Sequence, residues 1–168
     1  MALFEPLFEA LNATGVRYVI VGGVAVVLQG HARLTVDVDL IIDLEPVPVR
    51  TFMETLVGLG FVPRVPVDAL AFASAELRES WRRDKGMQVF SMVDRANPLR
   101  VVDLFAFHPI DFDGLWARAD VIRLDHTSVR VASIRDLIAL KRLAGRPQDL
   151  LDIERLEAIQ KRRGHADG

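Results

Sequence analysis

Apolar positions recur along this chain with two periods, and the switches between them mark its elements. Leu3, Leu7 and Leu11, with Phe4 and Phe8, stand at helical spacing and predict a helix over 4–14. Arg17-Tyr-Val-Ile-Val21 reads as a buried strand, β-branched and aromatic, that ends on Gly22-Gly23. Val24 to Gln29 leaves room for a short helix that Gly30 stops. Val36 to Asp43 is a second strand, and Pro46 and Pro48 open a helix to about Leu59, ended by Gly60. Asp68 to Asp84 reads as helical. Met87–Val93 and Leu99–Phe107 read as strands joined by a turn at Asp94–Pro98. A short helix near 111–118 precedes two strand-like pieces, Val121–Leu124 and Ser128–Ala132. Ser133 caps a helix over Ile134–Ala144, closed by Gly145 and Pro147, and a last helix runs to about Arg163.

This order predicts an α/β (α+β) fold, a mixed β-sheet flanked by helices with a C-terminal helical segment. The expected organisation is one domain over 1–168, with a sheet-bearing core at 1–132 and helices packed on it at 133–163. Parallel and antiparallel pairings cannot be sorted from the pattern alone. The 51% hydrophobic content and mean hydropathy of +0.23 exclude general disorder. No apolar run approaches the roughly 18 residues of a membrane span. The acidic N-terminus lacks the basic start of a secretory signal. Zero cysteines remove disulfides, thiolate metal sites and thiol catalysis together, so cytoplasm is the expected location. A net charge of −2 gives no overall pull toward nucleic acid. The basic clusters Arg82-Arg83-Asp84-Lys85 and Lys161-Arg162-Arg163 read as solvated surface.

Chemistry enters with Thr35-Val-Asp-Val-Asp-Leu-Ile-Ile42. Side chains alternate faces along a strand, so Asp37 and Asp39 project together while Val36, Val38, Leu40 and Ile42 fill a core face. Two adjacent carboxylates repel unless a proton or a cation lies between them. In so apolar a strand a divalent cation answers that repulsion, and magnesium suits hard oxygen ligands completed by water and phosphate. Asp103 repeats the pattern as a lone acid in Leu99-Arg-Val-Val-Asp-Leu-Phe105. If its strand adjoins the first, three carboxylates converge. A wet sheet face or arginine partners are the other account of such acids.

Upstream, Val19-Ile-Val-Gly-Gly-Val-Ala25 is strand, glycine doublet, then helix start. Glycines admit a close ligand and a helix start offers free N–H groups, so a phosphate-binding turn fits. A dinucleotide-binding fold wants G-x-G-x-x-G, whereas the glycines here fall at 22, 23 and 30, before too short a helix. Arg33 and Thr35 lie between turn and carboxylates, placed to meet phosphate or, for Arg33, to neutralise the acids. His31 reads as a surface loop residue.

Gly22-Gly23 followed by Arg33-x-Thr35-x-Asp37-x-Asp39-Leu40 resembles the core signature of the polymerase-β-like nucleotidyltransferase superfamily. The doublet is similar to its toxin and abortive-infection (AbiEii-like) branch; other branches carry serine where Gly23 stands. The likeness covers residues 18–43, and Asp103 resembles the third carboxylate more loosely. Lys141 falls inside the apolar arc of Ile134, Leu137 and Ile138. With Gly145-Arg-Pro-x-Asp149-x-x-Asp152 it resembles that branch's C-terminal motif, in which the lysine and the following aspartate line the nucleotide pocket. Arg146 and Asp152 read as structural.

The resemblance implies a nucleotidyltransferase that uses Mg²⁺ or Mn²⁺ held by Asp37, Asp39 and Asp103. It would bind a nucleoside triphosphate through Gly22, Gly23, Arg33, Thr35, Lys141 and Asp149. The implied acceptor is a hydroxyl on RNA or protein, with a cognate antitoxin as a candidate partner. A small molecule of the aminoglycoside type, or a catalytically degenerate binding module, is the alternative.

Overall fold

The computed structural model describes residues 2–166. Leu7, Phe8 and Leu11 form the buried stripe of α1 (Glu5–Thr14), as their 3.6-residue spacing dictates. The four residues of β1 (Tyr18–Val21) are all buried. α2 (Gly22–Leu28) starts two residues earlier than the pattern suggests, so both glycines belong to its first turn. β2 (Asp37–Ile42), α3 (Pro46–Gly58) and β3 (Phe61–Pro63) follow. β3 is three residues long, too short to show any period. The expected helix over 68–84 is broken into a 3₁₀ turn at Ala69–Ala73 and α4 (Ala75–Lys85). Ser74 makes the break: its backbone is extended and its hydroxyl caps the Leu77 N–H at 3.3 Å.

β4 (Val89–Asp94), β5 (Val101–Phe105), α5 (Phe112–Arg118), β6 (Asp120–Arg123) and β7 (Ser128–Val131) complete the sheet. α6 (Ile134–Ala144) and α7 (Pro147–Ala166) close the chain around the left-handed Gly145. The strand order is β3-β4-β5-β2-β1-β7-β6. β2 runs parallel to β5 and β1 parallel to β7; the other neighbours are antiparallel. The mixed sheet flanked by helices, with its helical C-terminal segment, is as the sequence implies.

The back face of the sheet is the core. Val38, Leu40 and Ile42 are buried there. Tyr18, which pairs with Ile42, meets Phe8 of α1 in a stacked contact at 6.1 Å and Phe52 of α3 edge-on at 6.3 Å. Further along, Phe90 lies stacked on Trp81 of α4 at 5.6 Å and against Phe72 at 5.0 Å. Val36, expected on this face, precedes the strand and is 55% exposed; Arg17 likewise stands before β1, pairing with Asp43 at 2.6 Å. Among the described residues no helix is long and apolar enough to cross a membrane.

Candidate active site

The front face of the same strands carries the acids. Parallel pairing sets Asp39 beside Asp103, with Asp37 two residues before on the same face of β2. Val21 is the Asp39 partner on β1, and Gly22 and Gly23 follow directly, so the glycine turn opens over the carboxylates. From below, α6 brings Lys141 toward the same place, and α7 brings Asp149. Gly22, Gly23, Arg33, Thr35, Asp37, Asp39, Asp103, Lys141 and Asp149 all line one cleft of about 340 Å³. Every site residue named from the sequence is therefore on it.

The close approach explains both glycines. Gly22 has a φ of +65°, and a Cβ there would lie 2.0 Å from Asp39 Oδ2. A Cβ on Gly23 would lie 2.6 Å from Thr35 Oγ1. Where other branches of the resembled family carry a serine hydroxyl, this chain already has the Thr35 hydroxyl alongside.

Charge is unevenly held. Burial first, then the nearby Asp103 and Asp37, push Asp39 up to about 7; a backbone hydrogen bond from Gly23 and the charge of Arg146 act the other way. Asp37 is also raised, by burial and then Asp103, against the pull of Arg64. The Ser91 hydroxyl, across β4 from Asp103, donates to its carboxylate at 2.5 Å. Opposite them stands an ionic cluster. Lys141, 5% exposed, meets Asp149 at 3.1 Å and Asp152 at 2.6 Å. Arg33 also pairs with the fully buried Asp152, and Arg146 donates from Nε to Asp149 at 2.8 Å. Burial raises Asp149, but the bonds from Arg146 and Lys141 outweigh it and leave its carboxyl lowered. Three cations facing two carboxylates leave one positive charge in excess beside the three front-face acids.

No family model matches the sequence, and no curated protein does. Similar solved structures include a lincomycin-bound lincosamide antibiotic adenylyltransferase, LnuA, at 16% identity and a TM-score of 0.59. That match covers 91% of this chain and 93% of the other. An antigenic nucleotidyltransferase-like protein from Paracoccidioides brasiliensis matches at 17% identity and a TM-score of 0.57, over 92% of this chain and 73% of the other. The chain has a nucleotidyltransferase fold.

Within that nucleotidyltransferase fold, no group of three or more His, Cys, Asp or Glu among the described residues is placed to hold a metal ion outright. Magnesium asks for less: it commonly takes one or two carboxylates and fills its shell with water and phosphate. Hard oxygen donors whose ionisation is opposed by burial and by one another fit such a cation. The sequence pattern does not single out Ser91, which binds Asp103, or Phe105 and Gln148, which line the cleft, and it leaves Arg146 and Asp152 as structural. Ser91 interrupts the apolar strand Val89-Phe90-Ser-Met-Val93 much as Asp103 interrupts its own, but their pairing shows only once the strand register is known. Arg146 lines the cleft, and Asp152 ties Lys141 to Arg33 beneath it.

Proposed function

We propose that this chain is a magnesium-dependent nucleotidyltransferase that moves a nucleoside monophosphate from a triphosphate to a hydroxyl acceptor. The observation that carries the reading is the convergence of three carboxylates, a glycine turn and a cationic cluster on one cleft. Asp37 and Asp39 would hold the magnesium, with Asp103 as the third carboxylate; manganese suits the same donors. When bound, the metal supplies charge neutralisation to the phosphates. The α2 start and the Thr35 hydroxyl face the phosphate side, and Arg33 and Lys141 supply positive charge there. Asp103, oriented by Ser91, is set to accept the acceptor's proton. The acceptor oxygen bonds to the α-phosphorus, the bond from that phosphorus to the diphosphate oxygen breaks, and diphosphate leaves. Asp149 holds Lys141 and Arg146 in place.

Two acceptor readings have support. The likeness of Lys141 and Asp149 to the toxin-type motif supports an RNA or protein hydroxyl, and with it an antitoxin partner. The lincomycin-bound adenylyltransferase of similar fold supports a small molecule. Cytoplasm, where triphosphate and magnesium are both at hand, is the proposed location. The reading is tested by incubating the protein with each α-³²P-labelled triphosphate, magnesium and candidate acceptors including RNA and lincomycin. Diphosphate release with the label retained on an acceptor is expected. Release of the γ-phosphate alone, with none of the label transferred, contradicts it.

A further inference from the structure

A second chamber, of about 620 Å³, opens from the same carboxylates on the side away from the glycine turn. It shares Asp39, Asp103, Phe105, Leu140, Ala144 and Arg146 with the cleft, with which it is continuous, but reaches neither Gly23, Thr35 nor Lys141. Its walls are Val89, Phe105, Phe107 and Pro109 from the sheet side, and Leu140 and Leu143 from α6. Apart from the shared carboxylates, Arg146 and Gln88 are its polar side chains. Arg146 is engaged with Asp149, and Phe105 and Phe107 meet edge-on at 6.5 Å. The Arg82 guanidinium lies 4.3 Å over the Phe107 ring. Leu143 stands 67% exposed at the mouth, an apolar side chain held in water with no described partner covering it.

We propose that this chamber receives the acceptor, and that the acceptor is a small uncharged molecule with an apolar body and a hydroxyl. The assignment rests on the nucleotidyl-transfer reading. In an in-line displacement the attacking oxygen comes from the side opposite the departing diphosphate. With the diphosphate at the glycine turn, that side is the chamber. A volume of this size holds one drug-sized molecule. A polycation finds no carboxylate here beyond the pair needed for chemistry. An RNA end wants a run of free cations along its backbone, and the described basic hollow of His31, Arg155, Lys161 and Arg162 is a separate one. The acceptor hydroxyl gives its proton to Asp103 as its oxygen bonds to the α-phosphorus, and diphosphate leaves toward α2.

The test uses the full chain and equilibrium dialysis with three labelled probes: octyl glucoside below its micelle concentration, kanamycin and a short single-stranded RNA. Leu143→Glu, an exposed position that should fold normally, serves as the chamber variant. Octyl glucoside should bind the wild type, and the variant should weaken it about tenfold. A nonhydrolysable triphosphate with magnesium should bind both proteins within about twofold. Absence of octyl glucoside binding, or tighter binding of kanamycin or RNA that the variant weakens, overturns the acceptor class. A loss of triphosphate affinity in Leu143→Glu overturns the assignment too, because the chamber would then hold the nucleoside. If the triphosphate fails to bind even the wild type, it is the nucleotidyl-transfer reading that falls, while the dialysis result still tells what the chamber prefers.

Discussion

The two faces of β2 are made by alternate residues of one six-residue strand, yet they serve opposite ends. Val38, Leu40 and Ile42 point back into the hydrophobic core, and burial there favours folding. Asp37 and Asp39 point forward, where burial and then the charge of Asp103 oppose their ionisation. One face stabilises the fold and the other draws on that stability. The strand tolerates its acids because the opposite face holds it rigid, and that rigidity fixes where the carboxylates sit.

The largest contrast comes from one substitution on each face. Leu40→Ala should cost about 2–5 kcal/mol in urea unfolding, since it leaves a cavity in a fully packed core. Asp103→Asn should change stability by less than about 1 kcal/mol yet lower nucleotidyl transfer by roughly 10²–10⁴, the usual contribution of a positioned base. Equal losses of stability from the two would erase the division between faces.

The ionic cluster under the cleft sharpens the comparison, because there the site and the core coincide. From its helical angle Lys141 reads as an inward lysine that meets an anion or snorkels out; as a triphosphate ligand its removal would be cheap, and as a partner of Asp149 costly. Its pairing with both Asp149 and Asp152 favours the costly outcome. Lys141→Met should cost about 3–5 kcal/mol, from the loss of two buried charged hydrogen bonds, although Arg146 and Arg33 stay on the two carboxylates. A Tm within a degree or two of wild type would show the lysine to be dispensable to the fold.

Asp39 gives the next effect, through pH. Its ordinary value is 3.8 and the folded chain raises it to about 7, so the native state keeps a proton that the unfolded state has lost. Stability from this group is unpenalised below about pH 4, falls as pH rises toward 7, and stays reduced above it. Without metal, Asp39→Asn should therefore gain roughly 2–4 kcal/mol over wild type at pH 8 and nothing at pH 4. A pH-independent difference between the two proteins contradicts the burial argument. The smallest effect belongs to Gly23. Gly23→Ser should cost about 1 kcal/mol by crowding Thr35, and Thr35→Ala in the same chain should recover it.

Much of the fold and of the site is legible in the sequence. The alternation in Val36–Asp43 placed two acids on one face and a core on the other, because a strand admits only that geometry. That Asp103 adjoins them is not legible, for nothing local says which strands pair, and only the register shows Asp39 beside it. β3 leaves no mark in the sequence because three residues carry no period, and the helical pattern over 68–84 hides the break at Ser74 because a cap in mid-run resembles an ordinary polar position. Val36 shows the converse: the alternation extends one residue past the point where the ladder begins. The part of Asp152 in the site is not legible, because its distance from Arg33 in sequence hides their contact. Local pattern named the site's acids; long-range packing supplied their partners.

On the proposed function, the front-face carboxylates bind triphosphate through a divalent cation. Calorimetric titration with a nonhydrolysable triphosphate, with and without magnesium, tests it most directly on the wild type and on Asp37→Asn/Asp39→Asn. Saturable binding that needs magnesium, and is lost in the double variant, is the predicted result. Binding that is equally strong without magnesium, or unchanged in the double variant, would contradict the account.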